Sequence, residues 1–327
     1  MNRPLLICLT PVFNEAWILP AFLKATSLWA DYIIIADQMS TDGSRDLYKE
    51  FEKVIVIDNP RNEMHQARTR KMLFDEAAKI KGNKILFTLD ADEFLSGDFL
   101  KSEGWNTIIK SKPGDVFLFR WMNLHSIENK YTTWQYYYWA AHLNEDLLEG
   151  KFPDNFIHEW RLPWPNKVNN EFKISDISFL HFARVNVKRQ HNKERFYQVS
   201  TVSKLHKYSG IGFYRQYHPL MDEEFFEIPK DAYKAYKDNG IYINNLLNLE
   251  DEGQHYTDNV KKYISECGIS KFAKLDVWDK DFLKKNNIDD PRNILHKILH
   301  FYLRITNEYQ KTILIRSIDK MLKILGC

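Results

Sequence analysis

The first 120 residues alternate between two patterns of hydrophobic and polar positions. Short runs that are almost continuously apolar predict strands buried on both faces. These runs are Leu5–Thr10, Tyr32–Asp37, Val54–Asp58, Lys84–Leu89 and Val116–Arg120. The segments with helical spacing between them are Pro20–Ala30, Ser44–Phe51 and Gln66–Ile80. This alternation predicts βαβ units in an α/β fold, with a mostly parallel sheet flanked by helices.

The pattern changes after Arg120. As far as Arg184 the chain is irregular and rich in aromatic residues, with strand candidates near Asn155–Arg161 and Ile177–Ala183. From Val185 onward it is typical of helices joined by polar loops. We therefore expect an α/β domain over residues 1–210 and a helical C-terminal region over residues 211–327.

Composition narrows the function classes. The net charge of +2 gives no sign of the basic surface that a nucleic-acid partner requires. The 3 cysteines do not form a disulfide framework, which favours the cytoplasm. The apolar run at the N-terminus is too short for a signal peptide, and we find no stretch of the ~20 apolar residues that span a bilayer.

The clearest chemical motif is Asp90-Ala91-Asp92, directly after an apolar run. In extended chain, residues two apart point to the same side, so the two carboxylates are expected to converge. Such a pair suits a divalent cation, Mn²⁺ or Mg²⁺, with coordination sites left for phosphate oxygens. A solvated acidic turn explains these residues equally well, and the spacing alone does not decide between them.

Two further motifs follow the first and second apolar runs, Thr10–Glu15 (Thr-Pro-Val-Phe-Asn-Glu) and Asp37–Ser44 (Asp-Gln-Met-Ser-Thr-Asp-Gly-Ser). Together with the Asp-x-Asp motif, their order and spacing resemble the family 2 glycosyltransferases of the GT-A fold. The segment Gln66-Ala67-Arg68 is similar to that family's Ala-Arg segment. The resemblance covers about the first 100 residues and continues more thinly to about Arg184. It implies a GT-A fold, a nucleotide-sugar donor and sugar transfer with inversion.

The resemblance also implies which residues bind the donor. They are Pro11, Asn14, Glu15, Asp37, Arg68 and Asp90. The carboxylate of Asp37 would accept from a nucleoside base, and Arg68 would donate to the diphosphate. From the residue types alone, Asn14 and Glu15 are equally typical of a helix start, and Arg68 of a helix surface. Ser40–Gly43 is expected to be a structural turn, with Gly43 at positive φ.

A narrower resemblance concerns the branch that makes bacterial lipopolysaccharide core and capsule linkages. That branch has a His-Glu pair after a strand and a Leu-x-His or similar sequence shortly afterwards, as in His158-Glu159 and Leu180-His181. It implies that Glu159 is the general base and His181 a further ligand of the metal.

Alternatives stay open for both of these residues. Glu145 and Asp146 are rival bases, and His181 is equally well explained as a histidine packed in a strand. The metal ligands implied by the resemblance are Asp90, Asp92 and His181.

The C-terminal segment Pro291–Cys327 combines helical periodicity with 7 basic and 2 acidic residues. In its last part an apolar stripe is predicted, formed by Leu314, Ile318, Met321, Leu322 and Leu325. The basic residues Arg316, Lys320 and Lys323 recur on another face. We expect peripheral contact with an anionic membrane on the cytoplasmic side, although a helix packed on the domain has the same pattern.

The sequence thus predicts a metal-dependent inverting glycosyltransferase. The expected donor is a UDP-sugar, and the acceptor is the hydroxyl of a glycan or of a lipid-linked saccharide in bacterial surface polysaccharide synthesis. A nucleotidyltransferase would show a glycine-rich basic loop after the first strand, and Pro11–Glu15 contains no glycine. A non-catalytic nucleotide-sugar-binding module is the other alternative.

Overall fold

The computed structural model describes residues 3–60, 66–125, 129–133, 136–152, 161–163, 167–218, 224–249 and 251–326. The chain divides into two compact units. The first comprises Met1–Val185 and Glu224–Leu249, and the second comprises Asn186–Glu223 and Glu250–Cys327. The boundaries of these compact units differ from the expected boundary at residue 210. The reason is that the chain returns to the first unit after Glu223. The functional division into residues 1–210 and 211–327 stays a prediction.

Every strand in the described part of the chain belongs to the first unit. They are β1 (Leu5–Val12), β2 (Tyr32–Asp37), β3 (Val54–Asp58), β4 (Lys84–Thr88), β5 (Glu93–Leu95), β6 (Val116–His125), β7 (Lys130–Thr133), β8 (Tyr137–His142), β9 (Glu171–His181) and β10 (Phe226–Glu227).

The α-helices are divided between the units. They are α1 (Leu19–Ser27), α2 (Ser44–Leu47), α3 (Gln66–Lys79), α4 (Glu103–Ile109), α5 (Glu145–Leu148), α6 (Val187–Ser203), α7 (Gly210–Tyr217), α8 (Lys234–Lys237), α9 (Gln254–Cys267), α10 (Lys280–Asn286), α11 (Ile294–Ile305) and α12 (Ile313–Ile324). Of these, α6, α7 and α9–α12 lie in the second unit. Among the residues described, no helix combines the length and the apolar character needed to cross a bilayer.

The sheet has a parallel half and a mainly antiparallel half. Its strand order is β10-β7-β6-β8-β4-β1-β2-β3, with β9 beside β6 and β5 beside β9. The pairs β1–β2, β2–β3 and β1–β4 are parallel, whereas β8 runs antiparallel to both β4 and β6. The predicted α/β class is confirmed. β6 begins in the predicted run Val116–Arg120, whereas β7, β8 and β9 lie in the following region, whose irregular pattern predicted only two strands.

The central strands are buried on both faces, as their continuous apolar runs predicted. In β1, Cys8 faces one hydrophobic cluster, while its neighbours Ile7 and Leu9 face another on the opposite side. In β2, Ile33 and Ile34 divide in the same way. A strand whose alternate side chains are both covered needs apolar residues at every position, and this explains why β1, β2 and β4 lack polar alternation.

Local predictions held best in the parallel half. The strands expected from Tyr32–Asp37 and Val54–Asp58 have the predicted bounds. The helix expected over Ser44–Phe51 is shorter, with α2 followed by a 3₁₀ turn at Tyr48–Glu50. The strand candidate Ile177–Ala183 is the end of the longer β9. Most of the candidate Asn155–Arg161 lies outside the described residues.

Candidate active site

The candidate site lies at the sheet edge where β4 ends. Strands β1, β2 and β4 are parallel neighbours, so their carboxyl ends share this edge, the usual ligand-binding edge of an α/β sheet. Asp90 lies two residues after the end of β4, Ala91 and Asp92 form a turn, and β5 begins at Glu93. The sequence motifs expected at this edge are therefore found there.

Asp92 and His181 form the first pair of the site. The Oδ2 atom of Asp92, which is buried, lies 3.6 Å from Nε2 of His181. The register of β5 and β9 sets this approach, because Glu93 lies opposite His181. The other ring nitrogen of His181, Nδ1, lies 2.8 Å from Oδ1 of Asn123. With Nδ1 as the donor, Nε2 keeps its lone pair on the side of Asp92.

This donor set fits a divalent cation. Ligand atoms of Asp92, Glu93 and His181 all lie within 4.8 Å of one another. Carboxylate oxygens suit Mn²⁺ and Mg²⁺, and a neutral imidazole nitrogen extends the choice toward Mn²⁺. The polar partner at Nδ1 is the arrangement that orients a metal-ligating histidine. His181 therefore lies close to the Asp-x-Asp motif, as expected. Its role as a metal ligand stays a prediction.

Glu93 is fully buried and is bound to Arg161. The two groups meet twice, with Nη2 2.7 Å from Oε1 and Nη1 3.0 Å from Oε2. Burial raises the pKa of Glu93; Arg161 opposes this, and Asp90 and Asp92 add to it. Burial disfavours the charge on Arg161, but the carboxylates of Asp90 and Glu93 outweigh it and raise the pKa of Arg161. Glu93 therefore anchors Arg161 beneath the site.

Asp90 contacts two guanidinium groups. Arg70 Nη2 donates to Oδ1 at 2.7 Å, and Arg161 Nη2 lies 2.9 Å from Oδ2. Because the chain turns at Ala91, Asp90 and Asp92 do not have the extended geometry from which their convergence was expected. Among the described residues, the cluster able to hold a metal contains Asp92 but not Asp90. The expected metal ligation by Asp90 stays a prediction beside these ion pairs.

Aromatic rings enclose the charged groups. The ring of Trp121 stacks on His181 with centroids 4.3 Å apart. The guanidinium of Arg161 lies 4.1 Å from the ring centroid of Trp139, which is itself buried and packs edge-on against Trp121. Apolar walls of this kind lower the local polarity, so charge interactions inside them are stronger than in water.

The loops after β1 and β2 are bound to each other. Side chains of the second loop accept hydrogen bonds from successive backbone N–H groups of the first, in the pairs Asn14–Ser40 (2.9 Å), Glu15–Ser44 (3.1 Å) and Ala16–Asp42 (2.8 Å). Gly43 has a φ of 96°, as predicted. The structural role expected for Ser40–Gly43 is confirmed, with the difference that this turn caps the neighbouring loop.

Asp37 ends β2 inside this arrangement and is fully buried. Its carboxylate accepts from Tyr48 Oη at 2.6 Å, from Arg45 Nη1 at 2.8 Å and from the backbone N–H of Ser40 at 2.9 Å. These bonds fix the strand end to the following turn. The nucleoside contacts expected of Asp37, Pro11, Asn14 and Glu15 stay predictions.

Comparison with known proteins identifies this region. Residues 8–152 match the sequence model described as Glycosyl transferase family 2. They form a family 2 glycosyltransferase domain. The match spans β1 to α5 and includes the turn, the loops and the Asp-x-Asp motif described above. It confirms the resemblance to the family, and the GT-A fold with it, whereas the branch that makes lipopolysaccharide core and capsule linkages stays a prediction. No curated protein matches the chain.

Solved structures give fainter likenesses to the chain. A 4-diphosphocytidyl-2C-methyl-D-erythritol synthase shares 12% identity over 28% of this chain and 48% of its own, with a TM-score of 0.24. Mannosyl-3-phosphoglycerate synthase from Rubrobacter xylanophilus shares 13% identity over 38% of this chain and 42% of its own, with a TM-score of 0.27. GalNAc-T7 with UDP, GalNAc and Mn²⁺ shares 14% identity over 94% of this chain and 59% of its own, with a TM-score of 0.29. The chain covers less than two thirds of each, and at these scores none carries an argument about activity.

Two arginines of α3 in the family 2 domain differ in their surroundings. Arg68 is exposed on α3, whereas Arg70 is buried and binds Asp90. Two residues correspond to about 200° around a helix, so their side chains leave it on different sides. Arg70 shares the buried face of α3 with Ala67 and Phe74. The sequence signal for the burial of Arg70 is a basic residue at a position of the helix that is otherwise apolar. Diphosphate binding by Arg68 stays a prediction.

The candidate bases differ in location. Glu159, with its neighbour His158, lies outside the described residues. The rivals Glu145 and Asp146 occupy the first turn of α5, directly after β8. The backbone N–H of Leu143 donates to Lys84 at the start of β4, so α5 begins near the opposite end of that strand from Asp90. Five strand residues span roughly 17 Å, which separates the rival bases from Asp92.

Removing the Arg70 charge should destabilise the family 2 domain. In Arg70→Met, Asp90 loses one of its two guanidinium partners and keeps Arg161, so we expect the free energy of unfolding to fall by about 1.5 kcal/mol. The matched change Arg68→Met alters an exposed residue of the same helix and should cost about 0.5 kcal/mol or less. Urea unfolding followed by tryptophan fluorescence measures both. Equal effects would contradict the assigned contact.

Proposed function

We propose that the chain is a metal-dependent, inverting glycosyltransferase. It would transfer a sugar from a nucleoside-diphosphate donor, expected to be a UDP-sugar, to the hydroxyl of a glycan or of a lipid-linked saccharide. The observation that carries the proposal is the approach of His181 to Asp92, a residue of the family 2 domain, at the carboxyl edge of β4. A carboxylate and an oriented imidazole there suit the Mn²⁺ or Mg²⁺ that accompanies a diphosphate.

The residues around this pair support a division of labour. Asp92 and His181 would hold the cation, with Asn123 orienting the imidazole through Nδ1. When bound, the cation would neutralise charge that develops on the departing diphosphate. Arg70 and Arg161 fix Asp90 through ion pairs, which keeps the segment after β4 in one geometry. Preorganisation of this kind avoids a rearrangement of charge during the reaction.

The proposed reaction is a single displacement at the anomeric carbon. The acceptor oxygen forms a bond to that carbon from the side opposite the diphosphate, and the bond from carbon to the diphosphate oxygen breaks. The acceptor proton passes to the carboxylate of Glu159, which the family resemblance suggests as general base. The nucleoside diphosphate leaves with the bonding electron pair.

The cellular setting is also part of the proposal. We propose a role in bacterial surface polysaccharide synthesis, in the cytoplasm or at the inner face of the cytoplasmic membrane. The narrower resemblance of His158-Glu159 and Leu180-His181 supports this setting. The balanced charge of the chain is consistent with saccharide rather than nucleic-acid substrates.

A panel of nucleotide sugars with Mn²⁺ tests the proposed reaction. The full-length protein is incubated with each donor and with saccharide acceptors, and released nucleoside diphosphate is measured by chromatography. We expect release with one donor class, dependent on the cation and lost on chelation. Asp238→Asn changes an exposed carboxylate of the first unit and should release nucleoside diphosphate at the wild-type rate, so it is the control for the site variants described in the Discussion.

Two other results would replace the proposal. Exchange of labelled pyrophosphate into a nucleoside triphosphate, without release of nucleoside diphosphate, would indicate a nucleotidyltransferase. Donor binding by calorimetry without turnover on any acceptor would indicate a nucleotide-sugar-binding module.

A further inference from the structure

Exposed apolar side chains concentrate in the last two helices. Of the 21 large hydrophobic residues that are exposed in the described part of the chain, 11 lie between Ile294 and Leu325. Several are largely exposed to solvent, with relative exposures of 86% for Ile313, 77% for Ile324 and 66% for Phe301. An apolar surface of this extent is unusual on a protein that meets only water and marks an interaction site.

The opposite sides of these helices are already packed. Leu299 and Leu303 of α11 form a buried cluster with Ile211 and Tyr214 of α7, and Leu322 of α12 packs against it. The cluster therefore holds both helices in place. The stripe predicted from sequence is divided by this packing, because Leu322 faces the cluster whereas Leu314, Met321 and Leu325 are exposed.

A buried polar contact secures the same inner side. Asp319 of α12 is buried and accepts from Arg215 Nε at 2.9 Å and from Tyr302 Oη at 2.8 Å. Arg215 also donates to the carbonyl of Leu303 at 3.2 Å and to Thr306 at 2.8 Å. With Asp319 turned inward, the outer side of α12 is fixed as the side that carries Ile313 and Ile324.

The exposed residues form a continuous face on each helix, next to basic residues. On α11, Ile294, Ile298, Phe301 and Ile305 recur at spacings of 4, 3 and 4, which is one side of a helix. On α12 the exposed apolar residues are Ile313, Leu314, Met321 and Ile324, followed by Leu325. Arg316, Lys320 and Lys323 are exposed along the neighbouring flank of α12. Lys297 and Arg304 are likewise exposed along the flank of α11 next to its apolar side.

We propose that the outer face of α11 and α12 is a docking surface for an anionic membrane. The apolar residues would enter the boundary between headgroups and acyl chains, and the basic flank would contact anionic headgroups. Each helix has 12 residues, or about 18 Å, which suits a helix lying in the interface and is too short to span ~30 Å of hydrocarbon.

Charge favours a membrane over a second copy of the chain. Pro291–Cys327 contains 7 basic residues and only two acidic ones, Glu308 and Asp319. Asp319 is buried against Arg215, so Glu308 is the one exposed acidic residue within this segment's described part. A second copy would present the same cationic surface, with little acidic complement. Anionic lipid supplies that complement over the whole face.

Vesicle binding tests this surface without any need for transferase activity. The full-length protein is sedimented with phosphatidylcholine vesicles that contain phosphatidylglycerol, and with pure phosphatidylcholine as a control. We expect binding to the anionic vesicles that weakens with salt. Phe301→Ser with Ile324→Ser should weaken it at least about tenfold, because the face that enters the interface is lost. The pair Tyr242→Ser and Leu205→Ser, also exposed apolar residues, should leave it unchanged.

A charge variant separates the two components of binding. Arg316→Gln, Lys320→Gln and Lys323→Gln together should weaken binding to anionic vesicles roughly a hundredfold, at about fivefold for each basic residue near the surface. Failure of the wild-type protein to bind, or unchanged binding of the Phe301–Ile324 variant, would overturn the proposal. So would a wild-type dimer in analytical ultracentrifugation that this variant converts to monomer, since the face would then belong to a second copy.

Discussion

Replacing Asp92 with asparagine should lower turnover at saturating Mn²⁺ by at least about 10³-fold, or roughly 4 kcal/mol in the activation barrier. The change keeps the shape of a side chain that is buried beside His181 and removes its negative charge. A cation held by a carboxylate and an imidazole would lose its anionic ligand. Donor binding should therefore lose its dependence on Mn²⁺, which calorimetry with and without the metal measures.

The controls for Asp92→Asn isolate the charge from the fold. Circular dichroism should show an unchanged spectrum, because asparagine keeps the shape of the side chain and the backbone oxygen at position 92 still accepts from Phe182. Asp238→Asn removes an exposed carboxylate in the same unit and should retain wild-type turnover. Unchanged affinity for the donor and for Mn²⁺ in Asp92→Asn would remove the metal site from the account.

The second large effect is expected from Glu159→Gln. We expect turnover to fall about 10³-fold with donor binding preserved, because the acceptor hydroxyl would lose the group that takes its proton. Such a split, with kcat reduced and the donor affinity unchanged, distinguishes a base from a donor ligand. Steady-state kinetics with the accepted donor, together with calorimetry, give both quantities.

Glu145→Gln is the matched control for this change. Glu145 is exposed in the first turn of α5, at the sheet edge far from Asp92. Its turnover should stay within about twofold of wild type, as for a surface change away from the site. Near-normal turnover in Glu159→Gln and a collapse in Glu145→Gln would reverse the assignment.

The parallel half of the fold could be predicted because its signal is local. In β1, β2 and β4 almost every position is buried on one face or the other, so each strand forms a nearly continuous apolar run. The turn at Gly43 was also predictable, since glycine readily takes the φ of 96° found there. Such features depend on a few neighbouring residues and survive in any sequence that forms them.

The antiparallel half was harder to predict because its pairing joins distant segments. β8 lies between β4 and β6, and Trp139 is buried although Tyr137, two residues earlier on the same side of the strand, is exposed. Without knowledge of the partners, this aromatic stretch has no clear period. Strand β7, two strands further along the sheet, was missed for the same reason.

The candidate site was predicted in part. The approach of Asp92 to His181 was expected from the family resemblance, whereas the roles of Arg70, Arg161 and Asn123 were not. Arg161 meets Glu93 across 68 positions of sequence, and His181 meets Asn123 across 58. The contact of His181 with Asn123 depends on the register between β6 and β9, which periodicity does not encode.

The central claim is that Asp92 and His181 hold a divalent cation that in turn binds the donor's diphosphate. Pulsed electron paramagnetic resonance of Mn²⁺ bound to the full-length protein with UDP tests it directly. We predict an imidazole nitrogen coupling and a phosphorus coupling on the same ion, with the nitrogen coupling lost in His181→Ala. A spectrum with phosphorus coupling alone in the wild-type protein, or no bound Mn²⁺ at all, would contradict the account.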